Sequence, residues 1–134
     1  MNARILKTSL PMLAFTLLLV LSTGCAAKEI RLAEEDNGTS VSLGVGDKLL
    51  ISLPGNPSTG YSWEVQAVDA AILELVGEPE FASDSTDLLG AGGTLTLSFT
   101  ARMAGTTTLE LGYLRPWETG VAPLETFSIE VTVK

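Results

Sequence analysis

Alternation of apolar and polar residues runs through most of this chain beyond residue 40 and limits it to one class of fold. Leu95, Leu97, Phe99 and Ala101 face one way while Thr94, Thr96, Ser98 and Thr100 face the other. Thr107, Leu109, Leu111 and Tyr113 alternate with Thr108, Glu110 and Gly112. Near the C-terminus Phe127, Ile129, Val131 and Val133 alternate with Ser128, Glu130 and Thr132. Shorter runs hold Val41 and Leu43, then Leu49, Ile51 and Leu53, then Tyr61, Trp63 and Val65, with Trp63 in phase for a core. Period two, in segments rich in Thr, Val, Ile and aromatics, is the pattern of strands buried on one face. Gly44-Val45-Gly46-Asp47 and Met103-Ala104-Gly105 read as hairpin turns. Only Asp69 to Val76 has a helical alternative, and there Ile72, Leu73, Leu75 and Val76 fit a short strand equally well. About seven short strands with regular turn signals predict an all-β, antiparallel two-sheet sandwich. The period alone leaves a small closed barrel open.

The N-terminus has a different grammar. Arg4 and Lys7 precede an apolar run from Leu10 to Leu21, which is the length of a signal-peptide h-region and too short to cross a bilayer. Leu21-Ser22-Thr23-Gly24-Cys25 then resembles a bacterial lipoprotein processing site, with Ser22 where leucine is more usual. The resemblance implies removal of residues 1–24 and acyl chains on Cys25, and two or more chains suffice for stable anchoring to a membrane. An ordinary secretory signal would instead leave Cys25 as a free thiol, a liability in an exported protein. Either way export is expected, and Ala26 in place of an aspartate resembles lipoproteins sent to an outer membrane. Residues 25–38 then form a lipidated Cys and an acidic tether, in which Ile30 and Leu32 can add a short first strand, and 39–134 form the domain. Asn37-Gly38-Thr39 matches a glycosylation sequon formally but reads as a turn in such a protein.

Charge and residue inventory exclude several functions. Losing the leader with Arg4 and Lys7 takes the net charge from −8 to −10, which argues against nucleic acid and against an anionic lipid surface as partners. The chain has no histidine, and its one cysteine is Cys25. That removes the commonest general base, the Ser-His and Cys-His nucleophile pairs and the usual zinc ligands. Glu34-Glu35-Asp36 and Glu78 with Glu80 read as solvated acidic faces, and Asp84-Ser85-Thr86-Asp87 is too sparse for calcium. No enzyme, metal or cofactor is expected, and a monomer is.

Three segments between strands carry the functional signal. In Asn56-Pro57-Ser58-Thr59-Gly60, Pro57 fixes φ, Gly60 permits a positive φ, and two hydroxyls are left at a stiff tip. Ser83 to Gly93 is longer than a hairpin needs, and Gly90-Ala91-Gly92-Gly93 leaves backbone open to an extended partner. Arg115-Pro116-Trp117 places a tryptophan beside Glu118, where a core is improbable and a displayed hot spot is expected; the rival is a lid folded over the sandwich end. Each segment alone reads as an ordinary turn, a glycine-rich loop or a cap.

Together, and in this order, they resemble the loop signature of the chagasin family of cysteine peptidase inhibitors over about Val41 to Lys134. Asn56, Pro57, Thr59, Gly60, Tyr61 and Trp63 match the family's first motif, Gly90, Gly92 and Gly93 its second, and Arg115, Pro116 and Trp117 its third. The departure is Ser58, which keeps the hydroxyl of the usual threonine and loses its methyl. The resemblance implies an immunoglobulin-like sandwich with the loops at one end, acting reversibly on papain-like cysteine peptidases. The first loop would cover the catalytic cysteine and histidine, the middle loop would lie along the non-primed side, and the tryptophan would meet an aromatic surface on the primed side. A lipid-anchored structural or adhesion module of the envelope is the rival reading, because fold alone does not fix function. Positions of the three loop tips discriminate between them.

Overall fold

The structure is a computed structural model that describes Gly24 and residues 26–134, so most of the segment expected to be a signal peptide, and Cys25, the expected lipidation site, lie outside the described residues. Two four- and five-stranded sheets pack face to face over one core, as the alternation predicts, and the barrel is excluded. One sheet contains β1 (Glu29–Leu32), β3 (Lys48–Gly55), β5 (Leu73–Leu75), β6 (Glu80–Ser83) and β7 (Gly93–Ala101). The other contains β2 (Ser40–Leu43), β4 (Ser62–Ala67), β8 (Gly105–Leu114) and β9 (Glu125–Val133). The first runs β1-β3-β7, with β5 and β6 both paired to the far edge of β7, and the second runs β2-β9-β8-β4.

Burial follows the predicted faces closely. Leu49, Ile51 and Leu53 of β3, Leu95, Leu97, Phe99 and Ala101 of β7, Leu109 and Leu111 of β8, and Phe127, Ile129, Val131 and Val133 of β9 are all buried, as are Leu43 and Trp63. Each such aliphatic or aromatic side chain contributes about 1.5–3 kcal/mol by leaving water. Ile72 and Leu73 close the core from the β5 side, and the ambiguous segment divides: its first half is a turn closed by the Ile72 and Leu73 amides on the Asp69 carbonyl, and Leu73–Leu75 is a short strand.

Three features differ from the expectation. Each sheet carries one parallel edge, β1 on β3 and β2 on β9, so the sandwich is mixed rather than wholly antiparallel. Gly44–Asp47 links β2 to β3 and Met103-Ala104 links β7 to β8, and both links cross between the sheets instead of closing hairpins. Period two fixes which face of a strand is apolar but not which strand lies beside it, so these turns were read with the wrong neighbours. The acidic tether is also shorter than expected. The short first strand expected at Ile30 and Leu32 forms as Glu29–Leu32 on β3, while beyond it Glu34–Asp36 forms a 3-10 turn and Gly38 donates to the Ser128 carbonyl at 2.7 Å. Asn37 does form a turn, and its side chain bridges to β9 by donating to the Thr126 carbonyl and accepting from the Ser128 amide.

Candidate functional site

Strand register brings the three predicted loops to one end. Gly55 pairs with Gly93, Ser83 with Gly93, Ser62 with Leu114, and Tyr113 with Glu125, so the connections β3–β4, β6–β7 and β8–β9 leave the sheets side by side.

The first loop is folded around Asn56. Pro57–Thr59 form a 3-10 turn for which Asn56 is the N-cap: its side-chain oxygen accepts from the Ser58 amide at 3.1 Å and from the Ser58 hydroxyl at 2.5 Å. An Asn or Asp oxygen at this position satisfies an amide that the turn leaves unpaired. The Thr59 hydroxyl donates back to the Asn56 carbonyl at 2.6 Å, and Gly60 ends the turn in the left-handed conformation at φ 82°. Both tip hydroxyls are therefore engaged inside the loop. That also gives Ser58 a task its hydroxyl alone performs, without the missing methyl.

Asn56 ties this loop to the middle one, because its side-chain amide donates to the Gly90 carbonyl at 2.9 Å. Its backbone N–H donates to the Tyr113 hydroxyl at 2.9 Å, which seats the loop on β8. In the middle loop the glycines serve the chain's own path. Gly93 lies inside β7, where a Cβ would meet the Ala82 carbonyl oxygen at 2.1 Å, and the Gly92 carbonyl accepts from the Asp84 amide at 3.0 Å. Ala91 is half-buried beside them. What this loop displays to solvent is Leu88 and Leu89, the latter fully exposed. Two adjacent leucines off every alternating run, in a loop already too long for a turn, are the only sequence signal for this pair.

The third loop leans on the first. Trp117 is 67% exposed, and the tip of its ring lies so close to Gly60 that a Cβ there would stand 2.2 Å from Cη2. Trp117 is thus displayed, and only its edge rests on the neighbouring loop. Arg115 is different from the exposed hot spot expected of it. Its guanidinium lies over the Tyr61 ring at 4.5 Å, donates to the Thr59 carbonyl at 3.1 Å and pairs with Glu118 at 3.1 Å. Arginine's planar fork can stack and donate at once, which suits it to clamp two loops. Thr59, Gly92 and Trp117 consequently share one edge, and the three tips are joined by direct bonds.

A model of the family described as chagasin family peptidase inhibitor I42 matches residues 42–131, which is most of the chain and includes all three loops. The chain belongs to the chagasin family. Chagasin of Trypanosoma cruzi is 33% identical over 93 residues, covering 65% of this chain and 82% of that protein. Amoebiasin-1 of Entamoeba histolytica is 32% identical over 105 residues, covering 77% of this chain and 98% of its own length. The crystal structure of the cysteine protease inhibitor EhICP2 from Entamoeba histolytica superimposes with a TM-score of 0.71 at 27% identity, covering 83% of this chain and all of that one. The immunoglobulin-like sandwich is therefore the chagasin fold, and membership places the protein among inhibitors rather than enzymes. Among the described residues, no group of three or more carboxylates, histidines or cysteines is placed to hold a metal.

Proposed function

We propose that this protein is a reversible, non-covalent inhibitor of papain-like cysteine peptidases that inserts its three-loop edge into the active-site cleft. The observation that carries the reading is the joining of the three tips into one edge, by hydrogen bonds from Asn56 to Gly90 and from Arg115 to Thr59 and by packing of Trp117 against Gly60, in a chagasin-family chain. The target class is that of EhICP2, a cysteine protease inhibitor. Pro57, Ser58 and Thr59 form the narrow centre that covers the catalytic cysteine and histidine. Leu88 to Gly92 lie along the non-primed side, and Pro116 with Trp117 meets an apolar surface on the primed side. Asn56, Gly60, Gly93 and Arg115 hold the edge in shape. Because the loops are bonded to each other before binding, little ordering entropy is lost on association. Blocking a cleft requires no nucleophile or base on the inhibitor, so a chain without histidine suffices. From the leader and Cys25 we further propose that the protein is an exported monomer held on the cell envelope, at the outer membrane, by acyl chains on Cys25.

Titrating the soluble domain, residues 26–134, against papain with a fluorogenic substrate tests the inhibitor. Activity should fall to zero and return on dilution, and unchanged hydrolysis in a large molar excess of the domain would sink the proposal. Asn56→Ala removes the hub of the first two loops. Losing a few hydrogen bonds worth about 1 kcal/mol each should raise the inhibition constant roughly tenfold or more. These bonds also exist in the free protein, so the melting temperature should fall by several degrees while the domain stays folded, because Asn56 lies outside the core; a fall in melting temperature with unaltered inhibition would assign Asn56 to stability alone.

A further inference from the structure

We propose that the end of the sandwich opposite the three loops is the face that rests on the lipid bilayer, so that the anchor holds the inhibitory edge pointing away from the membrane. This rests on the acylation of Cys25 proposed above, and it concerns a surface that the inhibitor reading leaves unused.

The place where the chain enters the fold decides the geometry. The Lys28 amide donates to Asp47 Oδ1 at 2.9 Å, and the Lys28 carbonyl accepts from the Lys48 amide at 2.8 Å. A second amide, that of Gly44, donates to the other Asp47 oxygen at 2.7 Å. These two backbone donors, Lys28 first, hold the Asp47 carboxyl below its usual range, so the clamp is charged at neutral pH. From Lys28 onward the chain is fixed, and only Ala26 and Ala27 separate it from Cys25. At about 3.3–3.6 Å per residue, that slack lets Cys25 reach no more than roughly 10 Å from the clamp.

The clamp is at the far end from the loops. β1 runs parallel to β3 from the pair Glu29 and Lys48, and β3 ends at Gly55, where the first loop begins. Strands of 8 and 10 residues, β3 and β8, rise about 3.3 Å per residue and set the loop tips roughly 25–30 Å above this base.

The base itself suits a headgroup layer. The Gly44–Asp47 turn, the β7–β8 link and the C-terminus converge there, with the Val45 amide donating to the Lys134 carbonyl at 3.2 Å and the Gly46 amide to the Ala101 carbonyl at 2.8 Å. Val45 and Met103 project from the two turns and are more than half exposed. Lys28, Lys48, Arg102 and Lys134 are exposed around them, and after the leader only Arg31 and Arg115 among the cations lie elsewhere. Acids stand there too: Glu29 pairs with Arg31, Glu74 takes up Arg102, Asp47 is held charged by the two amides, and Glu80 lines a hollow with Glu29 and Lys48, so Lys28, Lys48 and Lys134 are the cations left to face the headgroups. Net charge alone argues against an anionic surface, but its distribution does not. Basic residues near an anionic leaflet are attracted to it, and the acidic remainder of the body is repelled, so both effects stand the domain on this end. The inhibitor would then meet peptidases arriving from the aqueous compartment and miss active sites lying close to the same membrane.

The test uses full-length acylated protein in phosphatidylethanolamine–phosphatidylglycerol vesicles containing a spin-labelled phospholipid quencher. A nitrobenzoxadiazole fluorophore is attached at Val45→Cys in one variant and at Thr119→Cys, on the exposed third loop, in another. Most of the fluorescence should be lost at position 45 and kept at position 119. Equal or greater loss at 119 would overturn the orientation while leaving the anchor intact. Protein whose mass shows no acyl chain would overturn the anchor, and the orientation with it. Adding Lys28→Glu and Lys48→Glu should reduce the loss at 45, and an unchanged loss would overturn the electrostatic part of the proposal.

Discussion

Replacing Trp117 with alanine is expected to raise the inhibition constant against papain roughly 30- to 1000-fold, the ~2–4 kcal/mol typical of a buried hot-spot tryptophan. Melting temperature should hardly change. The ring is 67% exposed in the free protein, and its edge rests on Gly60 rather than on a core side chain, so little burial is lost on truncation. On the proposed mode of inhibition the same exposed area becomes buried in the complex, and the loss is expected there. Arg115, by contrast, spends its guanidinium on Thr59, Tyr61 and Glu118 within the chain. The two neighbours are therefore separable: Trp117 supplies contact area and Arg115 supplies position. A sharp fall in the melting temperature of Trp117→Ala, with inhibition intact in the folded fraction, would make Trp117 a lid and deprive the three-loop edge of its principal anchor.

The sandwich and the loop triplet were legible in the sequence for one physical reason. Alternation and turn chemistry are local, and β7, β8 and β9 each carry the alternation along most of their length. Neighbour relations are not local. Nothing in Gly44-Val45-Gly46-Asp47 distinguishes a turn within a sheet from one that crosses to the opposite sheet, and β1 sits on the β3 edge through a parallel register that its four residues do not announce. At the site, motif residues were found because glycine, proline and tryptophan have restricted uses, but their tasks required coordinates. Gly93 looks like open backbone and is a packing point under Ala82, while Asn56 looks like part of a turn and is the bond between two loops. Leu88 and Leu89 stand off every alternating run, but that they are the apolar residues this loop displays to solvent shows only once the strands around them are placed.

Trp63→Ala should do the opposite of Trp117→Ala and unfold the domain. Trp63 is 3% exposed, pairs across strands with Tyr113, and packs against it with ring centroids 5.2 Å apart. Truncating such a residue costs ~3–5 kcal/mol out of a total stability of about 5–15 kcal/mol. For a domain of this size that is a fall in melting temperature of roughly 12–30 °C. The loss also reaches the binding edge. Trp63 donates its indole N–H to the Pro54 carbonyl at 2.9 Å, just before the first loop, and Tyr113 accepts the Asn56 amide at 2.9 Å above it. Trp63 and Tyr113 together are the floor on which Asn56 stands, so even the folded fraction of Trp63→Ala should inhibit papain less well. Trp63→Phe keeps an aromatic in the core but leaves the Pro54 carbonyl without its donor, and should cost about 1–3 kcal/mol. A Trp63→Ala protein that melts within a few degrees of the wild type would show that the floor is supplied elsewhere, and the link from core to edge through Tyr113 would have to be abandoned.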